Sequence, residues 1–204
     1  IMLVISVLEN SEKREVTVKC SGENFLITLS DYLSLGISEG DFLSEEKAEA
    51  LEYAAKKLSC IKSAFSMLSY NDMSSGKLKR KLSQKHEKDI AETVIEMLLE
   101  RGYLNDEALA YRYAESFYES KKWGPARIRN ELYARGFGSS DINYALEQFD
   151  GIDHSENIKT LLEAKYSKVQ LSDRDTARKA AAYLYRQGYE SSDIYEIINM
   201  IYQE

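Results

Sequence analysis

Apolar and polar residues alternate at the start of this chain, then change period and do not change back. "REVTVKC" (14–20) puts Val16, Val18 and Cys20 on one face and Glu15, Thr17 and Lys19 on the other, and "NFLITLS" (24–30) repeats the alternation with Phe25, Ile27 and Leu29. With "IMLVISVL" ahead of them and turn signals "ENSEK" and "SGEN" between, these runs predict a small antiparallel β meander. A short helix ending at Gly36 and a turn at "SEGD" follow. From Ser44 onward apolar positions step by three and four, with Leu51, Ala54, Leu58, Ile61, Phe65 and Leu68 forming one stripe of a long amphipathic helix.

The helical region repeats. "GFGSSDINYALEQF" from Gly136 and "GYESSDIYEIINMI" from Gly188 share their Ser-Ser-Asp-Ile run at an offset of 52, and "HEKDIAETVIEML" from His86 is a weaker third copy. In that copy Asp89-Ile90 keeps the offset of 52, while Leu78 and Leu82 meet Ile128 and Leu132 at 50, so its turn is two residues shorter. Each unit reads as helix, shorter helix, helix. The expected division is 1–44 for the β meander and short helix, then repeats at 45–104, 105–152 and 153–204. Repeats that cannot close their own apolar face stack on their neighbours, so the expectation is a mainly α chain of three tandem three-helix repeats in an elongated array, with a small antiparallel β extension at its N-terminus.

The breakpoints have local reasons. Gly102, Gly136 and Gly188 follow helical runs and suit the left-handed residue that closes a helix. Asn105 or Asp106, Ser139 and Ser191 carry side-chain acceptors for the next helix start. Pro125, the only proline, stands near a predicted helix start. The turn Gly102-Tyr103-Leu104-Asn105-Asp106 therefore reads mainly as a structural joint.

A chain of 204 residues with 44% hydrophobic content can bury a substantial core without metal or disulfide. Cys20 and Cys60 lack Cys-x-x-Cys spacing, which fits a reducing compartment, and the first apolar run is too short to span a bilayer and lacks the flanks of a signal peptide. A cytoplasmic protein without a membrane partner is expected. The net charge of -7 is unevenly spread: residues 1–50 hold four basic and ten acidic side chains, leaving the rest nearly neutral.

Chemistry is sparse. His86 and His154 have no His or Cys partner at ligand spacing, and "SSGKLKR" lacks the frame of a phosphate loop. The glycine fingerprint of dinucleotide folds and the Gly-x-Ser-x-Gly nucleophile turn are also missing. Glu45-Glu46 sits at a helix start, where the helix dipole accounts for it. No catalytic residue, metal or cofactor is expected.

The informative feature is a basic stripe. "GKLKRKLSQK" sets Lys77, Lys81 and Lys85 at four-residue steps opposite Leu78 and Leu82, with Lys79 and Arg80 beside them. In "RIRNELYAR", Arg127, Arg129 and Arg135 overlie Lys77, Lys79 and Lys85, while Glu131 replaces Lys81. Repeat three keeps only Lys179. A single such helix reads as a solvated face of good helix formers; recurrence at matching positions weighs towards an anionic partner, either nucleic acid or an acidic protein surface. Tyr111, Tyr113, Tyr118, Tyr133 and Tyr144 read as packing residues at helical spacing, with base stacking the alternative.

"RGYLNDEALAYRYAESF", "KKWGPARIRNELYARGF" and "DINYAL" resemble, in order and spacing, the RecX family of bacterial recombinase regulators, and the N-terminal "REVTVKCSGENFLITLSDYLSLGISEGDFLSEE" resembles the β extension of some members. Repeat one departs from the usual pattern at Asn71, Asp72 and Lys77. The resemblance implies a monomeric, non-catalytic protein that binds the RecA recombinase and its filament on single-stranded DNA and modulates ATP hydrolysis and strand exchange, usually by inhibition. DNA would be a secondary contact. A direct DNA-binding helical module of helix-turn-helix type is the alternative, and the overall acidity weighs against it.

Overall fold

The computed structural model describes residues 2–203. Four strands, β1 (Met2–Asn10), β2 (Glu15–Cys20), β3 (Asn24–Thr28) and β4 (Phe42–Leu43), form an antiparallel sheet in the order β3-β2-β1-β4. The three-run meander is present, with an addition and a correction. The addition is β4, two residues that pair Leu43 with Met2 and Phe42 with Leu3; two residues carry no readable period. The correction is Leu29, which leaves the strand because Thr28 caps helix α1 (Leu29–Leu35), accepting from Asp31 N at 3.0 Å. Gly36 closes that helix in the left-handed conformation, φ 54°.

Helix α2 (Glu45–Tyr70) lays Leu51 and Ala54 against Val16, Val18, Phe25 and Ile27 of the sheet. Its buried stripe then turns to Cys60 and Ala64, leaving Phe65 part-exposed against the edge of the Tyr103 ring, with centroids 5.0 Å apart. Nine further helices follow among the described residues: α3 (Ser75–Leu82), α4 (Lys88–Glu100), α5 (Asp106–Lys121), α6 (Pro125–Ala134), α7 (Ser139–Glu147), α8 (Ser155–Glu163), α9 (Lys168–Leu171), α10 (Arg174–Gln187) and α11 (Ser191–Gln203).

Two compact units result. One holds the chain up to Asp72 with Leu78–Tyr103, the other Met73–Lys77 with the chain from Leu104 onward, so α3 begins in one and ends in the other. In the second unit Ile128, Leu132, Ile142, Ala145 and Leu146 are buried in one core, and Ala180, Leu184, Ile194, Ile197 and Ile198, each 52 positions later, are buried in another. Burial of Leu78, Leu82 and Ile90 follows the same pattern in the first unit. The sequence repeat is thus a repeat of inward-facing positions.

Cys20 and Cys60 are free and buried. Burial pushes the Cys60 thiol up to about 11, and burial followed by the nearby Glu23 charge raises Cys20, so neither is a ready thiolate. No helix among the described residues is long and apolar enough to cross a membrane.

Candidate functional site: helix joints and a basic face

The turn 102–106 is built from both ends. Gly102, φ 72°, closes α4 with its amide donating to Leu99 O at 3.0 Å and that of Tyr103 to Leu98 O at 2.9 Å. Leu104 is buried, and Asn105 is the N-cap of α5, accepting from Ala108 N at 2.9 Å. Asp106, only 8% exposed, looks elsewhere: its carboxylate accepts from Ser75 N at 2.8 and 3.1 Å and from Ser75 Oγ at 2.5 Å. One buried charge therefore serves the N-termini of α5 and α3, where helix dipoles favour an anion.

A third helix start is close by. Burial, and next the negative charge of Asp106, raises the Asp141 carboxyl above its ordinary value, while the Gly138 amide works against that shift. The N-cap of α7 is Gly138, not Ser139 as the sequence reading has it. Asp141 reaches back to the cap amide instead, and the Ser139 hydroxyl accepts from Tyr133 OH at 3.2 Å.

The start of α3 also meets the end of α6. Ser74 Oγ donates to Arg135 O at 2.7 Å, and a Cβ on Gly76 would fall 2.4 Å from Gly136 O. The equivalent joint recurs between the start of α6 and the end of α10: Gly124 N donates to Gln187 O at 2.8 Å and Ala126 N to Gly188 O at 3.2 Å. Here a Cβ on Gly124 would fall 2.4 Å from both Gly188 C and Gly188 O. The same carbonyl is bonded at each joint, by a serine hydroxyl in one and a backbone amide in the other.

The basic positions divide into two groups. On α3, Lys77 is half-buried, its backbone amide donating to Ser74 Oγ at 3.2 Å, and Lys79 pairs with Glu92. Arg80, Lys81 and Lys85 are exposed and make no ion pair among the described residues. Lys85 lies past the helix end in the turn before α4, where its amide donates to Leu82 O at 2.9 Å, so the stripe on the helix is shorter than its four-residue spacing predicts.

The arginines of repeat two are engaged. Arg127 lies 4.0 Å over the Trp123 ring and donates to Gln187 Oε1; Arg129 donates to Asn143 Oδ1 at 2.7 Å. Arg135 pairs with Glu131 at 2.9 Å and covers the Tyr113 and Phe117 rings at 4.7 and 5.1 Å. Sequence reasoning missed these partners, although the four-residue Glu131-Arg135 spacing was a usable signal. The tyrosines also split: Tyr118 is buried and Tyr111 and Tyr113 pack on the core, whereas Tyr133 and Tyr144 are 46% and 43% exposed.

The histidines sit in hydrogen-bonded settings. His86 Nε2 is 2.9 Å from Ser63 Oγ; His154 Nδ1 is 3.0 Å from Tyr118 OH, with the Tyr189 ring 5.7 Å away. No group of three or more His, Cys, Asp or Glu side chains able to hold a metal occurs among the described residues.

Comparison with known proteins places these features in context. Two family models match, described as the RecX second three-helix domain over residues 105–146 and the RecX third three-helix domain over residues 153–198. The chain is similar to regulatory protein RecX of Clostridioides difficile (strain 630), 25% identical over 204 residues, covering 98% of this chain and 96% of that protein. It is 30% identical over 143 residues to regulatory protein RecX of Trichlorobacter lovleyi, covering 68% of this chain and 92% of that protein. A solved structure described as a crystal structure of regulatory protein RecX shares the fold with a TM-score of 0.78 at 22% identity, covering 98% of this chain and all of that one.

Proposed function

The chain belongs to the RecX family, and from that premise we propose that it is a regulatory protein that binds the RecA recombinase, engages its filament on single-stranded DNA, and lowers ATP hydrolysis and strand exchange. The observation that carries this reading is the likeness over nearly the whole of both chains to a regulatory protein RecX. It acts by binding, without catalysis or a cofactor of its own. Tandem helical repeats give the chain more than one outward face, so one chain can contact successive protomers of a filament and gain from avidity.

The exposed cations of α3 and of the turn after it are the proposed contact for acidic RecA surface or bound DNA. Arg80, Lys81 and Lys85 are free to pair with an anion, whereas Arg127, Arg129 and Arg135 would first have to give up contacts inside the fold. Reversing Arg80, Lys81 and Lys85 to Glu together should raise the concentration needed to inhibit RecA roughly tenfold, with circular dichroism unchanged. Titration of RecA's DNA-dependent ATP hydrolysis reads this out. Unaltered inhibition by the triple variant removes this face from the mechanism.

A further inference from the structure

The N-terminal sheet ends on one side in an unpaired strand. β3 is an edge, pairing among the described residues only with β2. Two bonds fix which of its backbone groups point outward. Cys20 N donates to Glu23 O at 2.9 Å at one end of the hairpin and Leu29 N to Arg14 O at 2.8 Å at the other. In an antiparallel ladder hydrogen-bonded and non-bonded pairs alternate, so with Thr17 opposite Leu26, the pairs 19–24, 17–26 and 15–28 are non-bonded. The N-H and C=O of Asn24 and Leu26 consequently face away from the sheet, while the Thr28 carbonyl, at the N-cap of α1, is taken by the helix.

Edge strands are normally blunted by charge, proline, a bulge or a cover. "NFLIT" has no charge and no proline, and its pairing with β2 is regular. Beside it runs a groove of about 570 Å³ whose wall is Leu26 and whose floor is α2, with Ala55, Leu58, Ser59 and Met67 offering an apolar and hydroxyl surface. The surrounding charge is positive. Lys85 flanks the groove without an ion pair, and at the Thr28 end of the strand Lys13, Arg14 and Arg101 line a second cavity, also unpaired among the described residues. Of the other two lysines, Lys62 is answered by Glu15 at 2.8 Å and Lys57 by Asp31 at 2.9 Å.

We propose that β3 is a docking edge that accepts an extended acidic segment of RecA as a fifth strand, its backbone pairing with Asn24 and Leu26 and its carboxylates meeting the cations around the groove. The ladder supplies affinity, and the cations select an acidic strand. This rests on the proposed RecA binding and adds to it a backbone ladder at β3, which shares Lys85 with the charged contact proposed above.

Leu26→Pro is a sharp test because it removes one outward N-H while leaving the β2 ladder intact, and proline is tolerated on edge strands when its missing donor faces solvent. Full-length wild type, L26P and L26A are titrated onto RecA assembled on single-stranded DNA with a non-hydrolysable ATP analogue. L26P should bind roughly tenfold more weakly, L26A should lose much less, and wild-type Leu26 amide exchange should slow in the complex. Equal binding by wild type and L26P, with Leu26 exchange unchanged, overturns the docking edge and leaves RecA binding standing. Failure of wild type to bind RecA removes both. Leu26 protection that appears without RecA and grows with protein concentration makes a second copy of the chain the occupant and also overturns the proposal. If L26P does not fold, wild-type Leu26 exchange in the complex decides alone.

Discussion

Replacing either glycine of the α6–α10 joint by alanine should lower the stability of the second unit by about 3 kcal/mol, a fall in Tm of roughly 12–20 °C. The two substitutions act for different reasons. Gly124 has φ -79°, which any residue adopts, so Gly124→Ala is a purely steric insult: its Cβ is directed into the Gly188 carbonyl at 2.4 Å. Gly188→Ala adds left-handed strain at φ 97° to close approaches of 2.3 Å to Arg127 N and 2.8 Å to Gly124 O. Backbone atoms on both sides leave no flexible side chain to yield. Gly102→Ala is the control, since Gly102 is left-handed at φ 72° with nothing within 4 Å of its would-be Cβ. It should cost only the strain, about 1–2 kcal/mol. Thermal unfolding of the three variants separates these terms, and a Gly124→Ala protein as stable as wild type would show that the joint is not closely packed.

Loss of the Asp106 carboxylate should have an effect of similar size. Asp106→Ala removes every acceptor that Ser75 N and Oγ find there, in a buried setting where bonds to a charge are worth most. About 3 kcal/mol is expected, and Asp106→Asn should recover part of it because one amide oxygen still accepts. Asp141 gives an independent readout. A raised carboxyl pKa in the folded state means that the fold holds this proton more tightly than the unfolded chain does. Ionised Asp141 therefore costs stability at neutral pH, and the cost is lifted as pH falls through its raised value. Neutralising Asp106 removes one cause of that shift, so the Asp141 titration followed by NMR should move back towards the ordinary range in Asp106→Asn. An unmoved Asp141 titration would mean that the two carboxylates do not sense each other.

Much of this architecture was legible because it rests on period and punctuation. Val16, Val18 and Cys20 alternate because one sheet face is buried, and Ile128 and Leu132 reappear as Ala180 and Leu184 because repeated cores need repeated inward positions. Gly36, Gly102 and Gly188 announced helix ends through the left-handed conformation they adopt. What escaped the sequence depends on groups far apart along the chain. Nothing in the order of residues says that Gly124 meets Gly188, or that Asp106 serves Ser75. The short strand β4 exists only because β1 offers a partner. The basic stripe shows the same limit more sharply: spacing gave Arg127, Arg129 and Arg135 one face, but Trp123, Gln187, Asn143 and Glu131 decide how far each is committed within the fold. A charge pattern reports where cations stand, and packing reports which of them remain available.

The central claim is that this chain regulates RecA by binding its filament. It is tested most directly by RecA's single-stranded-DNA-dependent ATP hydrolysis, with the full-length protein titrated in at substoichiometric ratios beside a bare-DNA binding control at the same salt. Inhibition well below one molecule per RecA, together with weak binding to bare DNA, is the predicted result. Unchanged hydrolysis with tight, steeply salt-dependent binding to bare DNA would contradict it and assign the chain to direct DNA binding.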